Sequence, residues 1–302
     1  MSHSLGAPID VPARGVVQGA RALAAAVRPK QFTKNLLTLA GIVFAAKVTS
    51  FDAWLHALLA FGVYCAASSA AYLLNDIHDL ASDRLHPVKR LRPLASGRLP
   101  LTAARWAIPV FVAAALGGSA FLGRRSLGWL VLFLVVQAAY TLWLKRVPLL
   151  DVALIASLFE IRAVAGAEAI GVPSSGWLLA CTPLLASLLA FGKRRAELEL
   201  VRDGATPGRN VLRWYSRRRV DLLLAVSGVS AVSAYTAYAL SGPTPWLATT
   251  LPFVLIGVAR YFTLLYRHGA GEEPENMVLT DPVLLTSTAL WALLCAVVLT
   301  TA

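Results

Sequence analysis

AWLHALLAFGVYCAASSAAYLL, Ala53 to Leu74, runs straight into NDIHDLASD, Asn75 to Asp83. The first part is 22 residues without a single Asp, Glu, Lys or Arg. As a helix it is roughly 33 Å long, enough to cross a hydrocarbon core. Backbone groups in lipid must be paired within the protein, which leaves helices or closed barrels. Barrel strands alternate polar and apolar residues. This run is solidly apolar, so it is a helix. The second part carries Asn75, Asp76, Asp79 and Asp83, which fall within an arc of about 100° on that same helix.

The rest of the chain repeats the first half of this pattern. Of 302 residues, 57% are hydrophobic and 15% charged, and the mean hydropathy is +0.65. These values lie outside the range of an ordinary soluble domain. Apolar runs recur at about 35–49, 53–74, 103–123, 126–144, 149–170, 175–192, 220–241, 246–265 and 283–301. The reading is an all-α integral membrane protein of nine transmembrane helices. The first run is short and extends back through Arg28–Lys34 along the interface.

The net charge of +12 does not signal a nucleic-acid surface, because the cations segregate by loop parity. Of 28 Lys and Arg, 23 fall on the side of the N-terminus, three on the other side (Lys47, Arg124, Arg125) and two (Arg162, Arg260) within runs. The positive-inside rule then places the N-terminus in the cytoplasm. Residues 1–18 read as a disordered tail with no cleavable signal peptide, and 19–302 as one polytopic domain. Three long charged connections, 75–102, 193–219 and 266–282, share the cytoplasmic side and are where a site is expected. Cys65, Cys181 and Cys295 lie within apolar runs without metal-type spacing and read as small buried hydrophobes. His56, His78 and His268 have no partner spacing. The long apolar helices show no clear association stripe, and a homo-oligomer stays open.

Three carboxylates on one helical face repel one another and need compensation. Mg²⁺ is the natural partner, since it takes oxygen ligands from one or two carboxylates plus substrate phosphates. Asn75, Asp76, Asp79 and Asp83 are the candidate metal ligands, with Asp79 and Asp83 as the catalytic pair. The next segment, His86 to Pro93, holds two prolines that forbid a continuous helix. Lys89, Arg90 and Arg92 are therefore presented from a constrained loop, suited to phosphate. Further candidate substrate contacts are Lys34 and Asn35 entering the first run, Tyr140 and Lys145 ending the fourth, and Lys193, Arg194 and Glu197 after the sixth. Arg162 joins them, because charge at membrane depth usually faces the bundle interior. Asp151 lies on nearly the same side of that helix. Lys193 shares a face with Glu197, and Arg195 with Glu199.

These segments together resemble a known family. The N-D-x-x-D-x-x-x-D pattern of Asn75–Asp83 is similar to the first Asp-rich motif of the UbiA superfamily of intramembrane prenyltransferases. With R-P-x-Q-x-x-K-N at 28–35, the continuation through R-x-R-P-x-A-S-G to residue 97, Y-x-x-x-x-K at 140–145, L-L-D at 149–151, R-A-x-A-G at 162–166 and G-K-R-x-A-E-L at 192–198, the chain resembles the decaprenyl-phosphate phosphoribosyltransferase branch. The resemblance covers nearly everything from Arg28 onward. It implies transfer of a phosphoribosyl group from phosphoribosyl diphosphate to a polyprenyl phosphate, Mg²⁺-dependent, in the bacterial cytoplasmic membrane with the site facing the cytoplasm, as a step toward cell-wall arabinan. One departure is informative. Prenyl-diphosphate users in the superfamily carry a second D-x-x-x-D motif after the sixth span. Here that place holds Lys193, Arg194 and Glu197, with only Asp203 beyond. A prenyltransferase acting on a small or aromatic acceptor is the alternative. A transporter or lipid-binding protein fits less well, because the polar residues gather at one membrane face and not at broken helices near the midplane.

Overall fold

The computed structural model describes residues 16–204, 210–267, 271 and 274–301. Most of the expected tail, and the connecting residues 205–209, 268–270 and 272–273, lie outside the described residues, His268 among them. Helix α1 (Val16–Ala26) begins within the segment expected as tail. It leads to a 3-10 helix, Pro29–Leu39, and the short α2, Ala40–Phe44. The long α3, Phe51–His78, is followed after one residue by α4, Leu80–Leu85. Then come α5 (Leu101–Phe121), α6 (Arg124–Leu142), α7 (Leu150–Ala169), α8 (Gly176–Arg202), α9 (Arg217–Ser241), α10 (Leu251–Arg267), α11 (Pro274–Thr280) and α12 (Pro282–Thr301). No strand occurs among the described residues.

Seven of these helices are long and apolar enough to cross a membrane: α3, α5, α6, α8, α9, α10 with the turn before it, and α12. The two remaining apolar runs behave differently for identifiable reasons. The first is split into a 3-10 and a short α segment. The fifth, α7, carries Asp151, Glu160, Arg162 and Glu168 along its length.

Helices in lipid gain little from hydrophobic burial against one another, so their association rests on close packing and on polar contacts. The buried faces are built accordingly. On α3 they include Ala53, Ala57, Ala60, Ala67, Ser68, Ala70 and Ala71. On α7 they include Ala156, Ala163, Ala165, Gly166, Ala167 and Ala169. Helix α3 packs on α5 and α6, α7 on α6 and α8, α8 on α9, and α10 on α12. The two small-residue helices also receive the 3-10 segment. Large apolar side chains such as Leu55, Val110, Leu222 and Leu293 point outward, as a lipid-facing surface requires.

One glycine sets how closely the 3-10 segment approaches α7. A Cβ built on Gly166 would lie 2.0 Å from the backbone oxygen of Thr38 and 2.6 Å from its Cα. Neither backbone can rotate out of the way. Gly166→Ala is expected to destabilise the fold by about 1–3 kcal/mol through overpacking. A thermal midpoint in detergent equal to wild type would show that the two segments separate without cost.

Candidate active site

The end of α3 delivers the acid cluster. The helix stops at His78, Asp79 serves as the junction, and α4 restarts at Leu80. This break turns the four residues away from a single continuous stripe. Asp76 and Asp83 are buried. The Nη1 of Arg92 donates to Asp83 Oδ2 at 2.5 Å and to Asp76 Oδ1 at 3.4 Å. Asp76 also pairs with Arg28. Asp79 faces elsewhere, taking Lys145 Nζ at 2.8 Å on both of its oxygens. The same ammonium donates to Asn75 Oδ1 at 3.2 Å. Three carboxylates thus meet three cations, and the cluster balances its own charge.

Local structure holds these cations in place. The α6 helix ends at Leu142, and a 3-10 turn, Leu144–Arg146, swings Lys145 back beneath α3, where it is 8% exposed. The prolines flanking Val88–Arg92 end the helix as expected, and a short 3-10 turn covers Lys89–Leu91. His86 shapes this turn, its Nδ1 accepting from the backbone N–H of Val88 and of Lys89. Arg92 is anchored through its own carbonyl, which accepts from Ser96 N at 2.9 Å, before the chain reverses at Gly97 with φ +72°. Arg28 lies in a left-handed conformation at φ 55° and stacks 5.3 Å over the Tyr72 ring. Burial lowers the Arg28 pKa from its ordinary value, and the Asp76 charge opposes that shift. Its place in the cluster was not legible from spacing, because 48 residues separate it from Asp76.

A second polar layer lies deeper. Asn35 Oδ1 accepts from Arg162 Nε at 2.8 Å and from Ser68 Oγ at 3.4 Å. Ser68 and Asp76 stand on one helix, about 12 Å apart along its axis. Arg162 is buried over the Phe133 and Phe159 rings, at 4.7 and 5.6 Å, and donates to Leu158 O at 2.9 Å. The structure groups Asn35 with Arg162, and Lys34 Nζ donates to Gln31 Oε1 at 3.2 Å.

A third group closes the bundle where α7 and α8 meet. Arg194 and Asp151, both almost fully buried, lie 3.5 Å apart, and Arg194 Nη1 donates to Glu197 Oε2 at 2.5 Å. Tyr215 donates to Asp151 Oδ1 at 2.7 Å and accepts from the backbone N–H of Leu149 at 2.8 Å. Burial, and then the Asp151 hydrogen bond, push the Tyr215 phenol up, so it stays protonated as a donor. Leu149 has φ 64°, a strained value for a residue with a Cβ. Arg195 pairs with Asp221 at 2.9 Å and with Glu199 at 3.7 Å. The expected Arg195–Glu199 pair is thus present, with a stronger partner that the sequence did not indicate. Lys193 and Tyr140 are half-buried, Lys89 is partly exposed, and Arg90 is exposed.

Among the described residues no three His, Cys, Asp or Glu side chains converge on one point. That excludes a closed protein cage there, which is not what Mg²⁺ usually takes. The donor chemistry fits a cation shared with substrate. Asp76 and Asp83 already point at one common positive nitrogen, and Asp76 Oδ2 is buried without a hydrogen-bond partner.

The UbiA prenyltransferase family profile matches residues 35–280. This chain belongs to the UbiA prenyltransferase family. Its curated relatives include the decaprenyl-phosphate phosphoribosyltransferase of Mycolicibacterium smegmatis, 33% identical over 293 residues that cover 92% of this chain and 91% of that one. The protein of the same name from Corynebacterium glutamicum is 30% identical, covering 88% and 83%. Among solved structures, a UbiA homolog from Archaeoglobus fulgidus bound to GPP and Mg²⁺ superposes with a TM-score of 0.71 at 16% identity, over 93% of this chain and all of that one. That likeness in fold extends over nearly the whole chain.

Proposed function

We propose that this chain transfers the 5-phosphoribosyl group of phosphoribosyl diphosphate to a polyprenyl phosphate such as decaprenyl phosphate, releasing diphosphate. The observation that carries the reading is the charge-balanced acid cluster at the end of α3. After the sixth apolar run, where a second acidic motif would serve a prenyl diphosphate, Arg194 is neutralised internally by Asp151 and Glu197. The names of the two relatives agree with this reading.

Asp76, Asp79, Asp83 and Asn75 would hold Mg²⁺, which when bound withdraws charge from the departing diphosphate. Arg92 and Lys145, which neutralise Asp83 and Asp79 in the structure, would turn to phosphate oxygens of the donor if a metal supplied the counter-charge of the carboxylates instead. No buried charge is left unpaired in that exchange, which keeps its cost low. Lys34, Lys89, Arg90 and Lys193 supply further cations around the donor. Tyr140 and Glu197 would add contacts to the donor. Arg162, fixed by Asn35, forms the floor of the site. The bond between ribosyl C1 and the diphosphate oxygen breaks, and a phosphate oxygen of the acceptor bonds to C1. That oxygen is already anionic, so no side chain needs to remove a proton. The protein's contribution is positioning and charge stabilisation. The topology behind this is nine crossings with a cytoplasmic N-terminus in a bacterial inner membrane, supported by the loop parity of Lys and Arg. The product would serve cell-wall arabinan synthesis.

The test is turnover. Detergent-purified protein is incubated with labelled phosphoribosyl diphosphate, Mg²⁺ and decaprenyl phosphate, and label is sought in the organic phase. Mg²⁺-dependent label in the lipid is the expected result. No label there, with a prenyl diphosphate and an aromatic acceptor reacting instead, would replace this reading with ordinary prenyl transfer.

A further inference from the structure

The segment between α3 and α5 turns one edge inward and leaves the other uncovered. Asp83 and Arg92 face the acid cluster and pair with each other. Between them the chain exposes Leu85, Val88 and Leu91, at 88%, 69% and 65%. The spacing of three has a local cause. The Leu91 N–H donates to Val88 O at 3.1 Å, and the Arg92 N–H to Lys89 O at 3.0 Å. In such a turn side chains three apart lie one above the other, so Val88 and Leu91 share an edge. Each end of this apolar row has a cation beside it. Arg84 is exposed next to Leu85, and Arg98, also exposed, donates to the carbonyl of Leu91.

Exposed apolar rows of this kind mark partner or membrane surfaces, and the fold places a membrane here. Helices α3 and α5 are both long and apolar enough to cross one, and the segment joins their adjoining ends. Helix α4 has six residues and reaches only about 9 Å. At the other end, the Arg98 bond ties Leu91 to a point just before α5 begins at Leu101. On the second turn of α5, Trp106 is 76% exposed beside the exposed Arg105. Tryptophan on a lipid-facing helix end marks the headgroup level. Aliphatic side chains alternating with arginines suit an anionic membrane surface. The aliphatics enter the acyl boundary and the guanidinium groups stay at the phosphates. A soluble acidic partner would match the arginines but leave the aliphatic row in water.

We infer that Arg84–Leu91, together with Arg98 and Arg105, is a membrane-surface anchor whose partner is anionic phospholipid headgroups. Lys89 and Arg90 remain with the donor. The anchor holds the outer edge of the segment whose inner edge carries Arg92 to the acid cluster.

The test places an environment-sensitive fluorophore on Val88→Cys in the full-length protein, in phosphatidylcholine nanodiscs with and without phosphatidylglycerol. Wild type, with Cys65, Cys181 and Cys295, sets the labelling background. A label on Asp203→Cys is the water-facing control. Asp203 follows α8, whose 27 residues span about 40 Å against a hydrocarbon core of about 30 Å. Lipids carrying a nitroxide near the headgroup are then added. The Val88→Cys label is expected to lose most of its fluorescence in discs with phosphatidylglycerol, and the Asp203→Cys label almost none. Arg84→Gln should lower the ratio of quenched to unquenched label about fivefold, the worth of one cation at an anionic surface. Leu85→Ser with Leu91→Ser, both at exposed positions, should bring the Val88→Cys label to the control level. A Val88→Cys label as unquenched as the control overturns the anchor. Equal quenching with and without phosphatidylglycerol overturns the anionic partner. Quenching that instead grows with the number of labelled copies per disc gives the row to a second copy of the chain and overturns the lipid assignment. No substrate is present, so the result is independent of the reaction proposed above.

Discussion

Asp83→Asn is expected to lower turnover roughly 100- to 1,000-fold, the usual cost of removing one group that stabilises transition-state charge. The protein should fold nearly as well as wild type. Arg92, a quarter exposed, keeps Asp76 and solvent as partners. Asp79→Asn should lose activity to a similar degree but also stability. It leaves Lys145, whose side chain is 9% exposed, without its carboxylate. Activity titrated against Mg²⁺, beside thermal midpoints, distinguishes the two variants. Asp83→Asn should need more Mg²⁺ to reach its reduced maximum. Wild-type rates in either variant would remove the metal role. A reduced rate in Asp83→Asn with an unshifted Mg²⁺ dependence would mean that Asp83 acts only by holding Arg92.

The largest stability effect is expected at Asp151. Asp151 and Arg194 are each 1% exposed at the side chain. Asp151→Ala removes the Arg194 counter-charge and the acceptor of the Tyr215 hydroxyl in one step. Breaking one partner of a buried pair costs about 3–5 kcal/mol. Since Glu197 stays with Arg194, the lower part of that range applies. A fall of about 6–12 °C in the thermal midpoint is expected, at roughly 2–4 °C per kcal/mol. Asp151→Leu combined with Arg194→Met should recover most of the loss, because an apolar pair of similar volume needs no counter-charge. An Asp151→Ala protein as stable as wild type would mean that water reaches this pair.

Much of this protein follows from local pattern. Runs of about 20 apolar residues cannot satisfy their backbone in lipid except as helices, so α3, α5, α6, α8, α9, α10 and α12 were all visible before any contact was known. The acid cluster was visible too. Its residues sit within nine positions of one another, and helical spacing is a property of a single segment. Pro87 and Pro93 likewise announced the break that presents Lys89 and Arg92.

What the sequence could not supply was the partner of each charge. Helical geometry at 100° per residue suggested one continuous face for Asp76, Asp79 and Asp83. The one-residue break at Asp79 divides that face, and Asp83 shares Arg92 with Asp76 while Asp79 turns to Lys145. Arg28, Tyr215 and the Asn35–Arg162 bond join segments between 48 and 127 residues apart. Ion pairing depends on distance in space, which no spacing rule within one segment encodes. The helices and the acids were thus determined by the sequence alone, through solvation of the backbone and the period of the helix. Which cation each acid meets was decided only by the packing of small-residue faces, which sets how closely those helices approach.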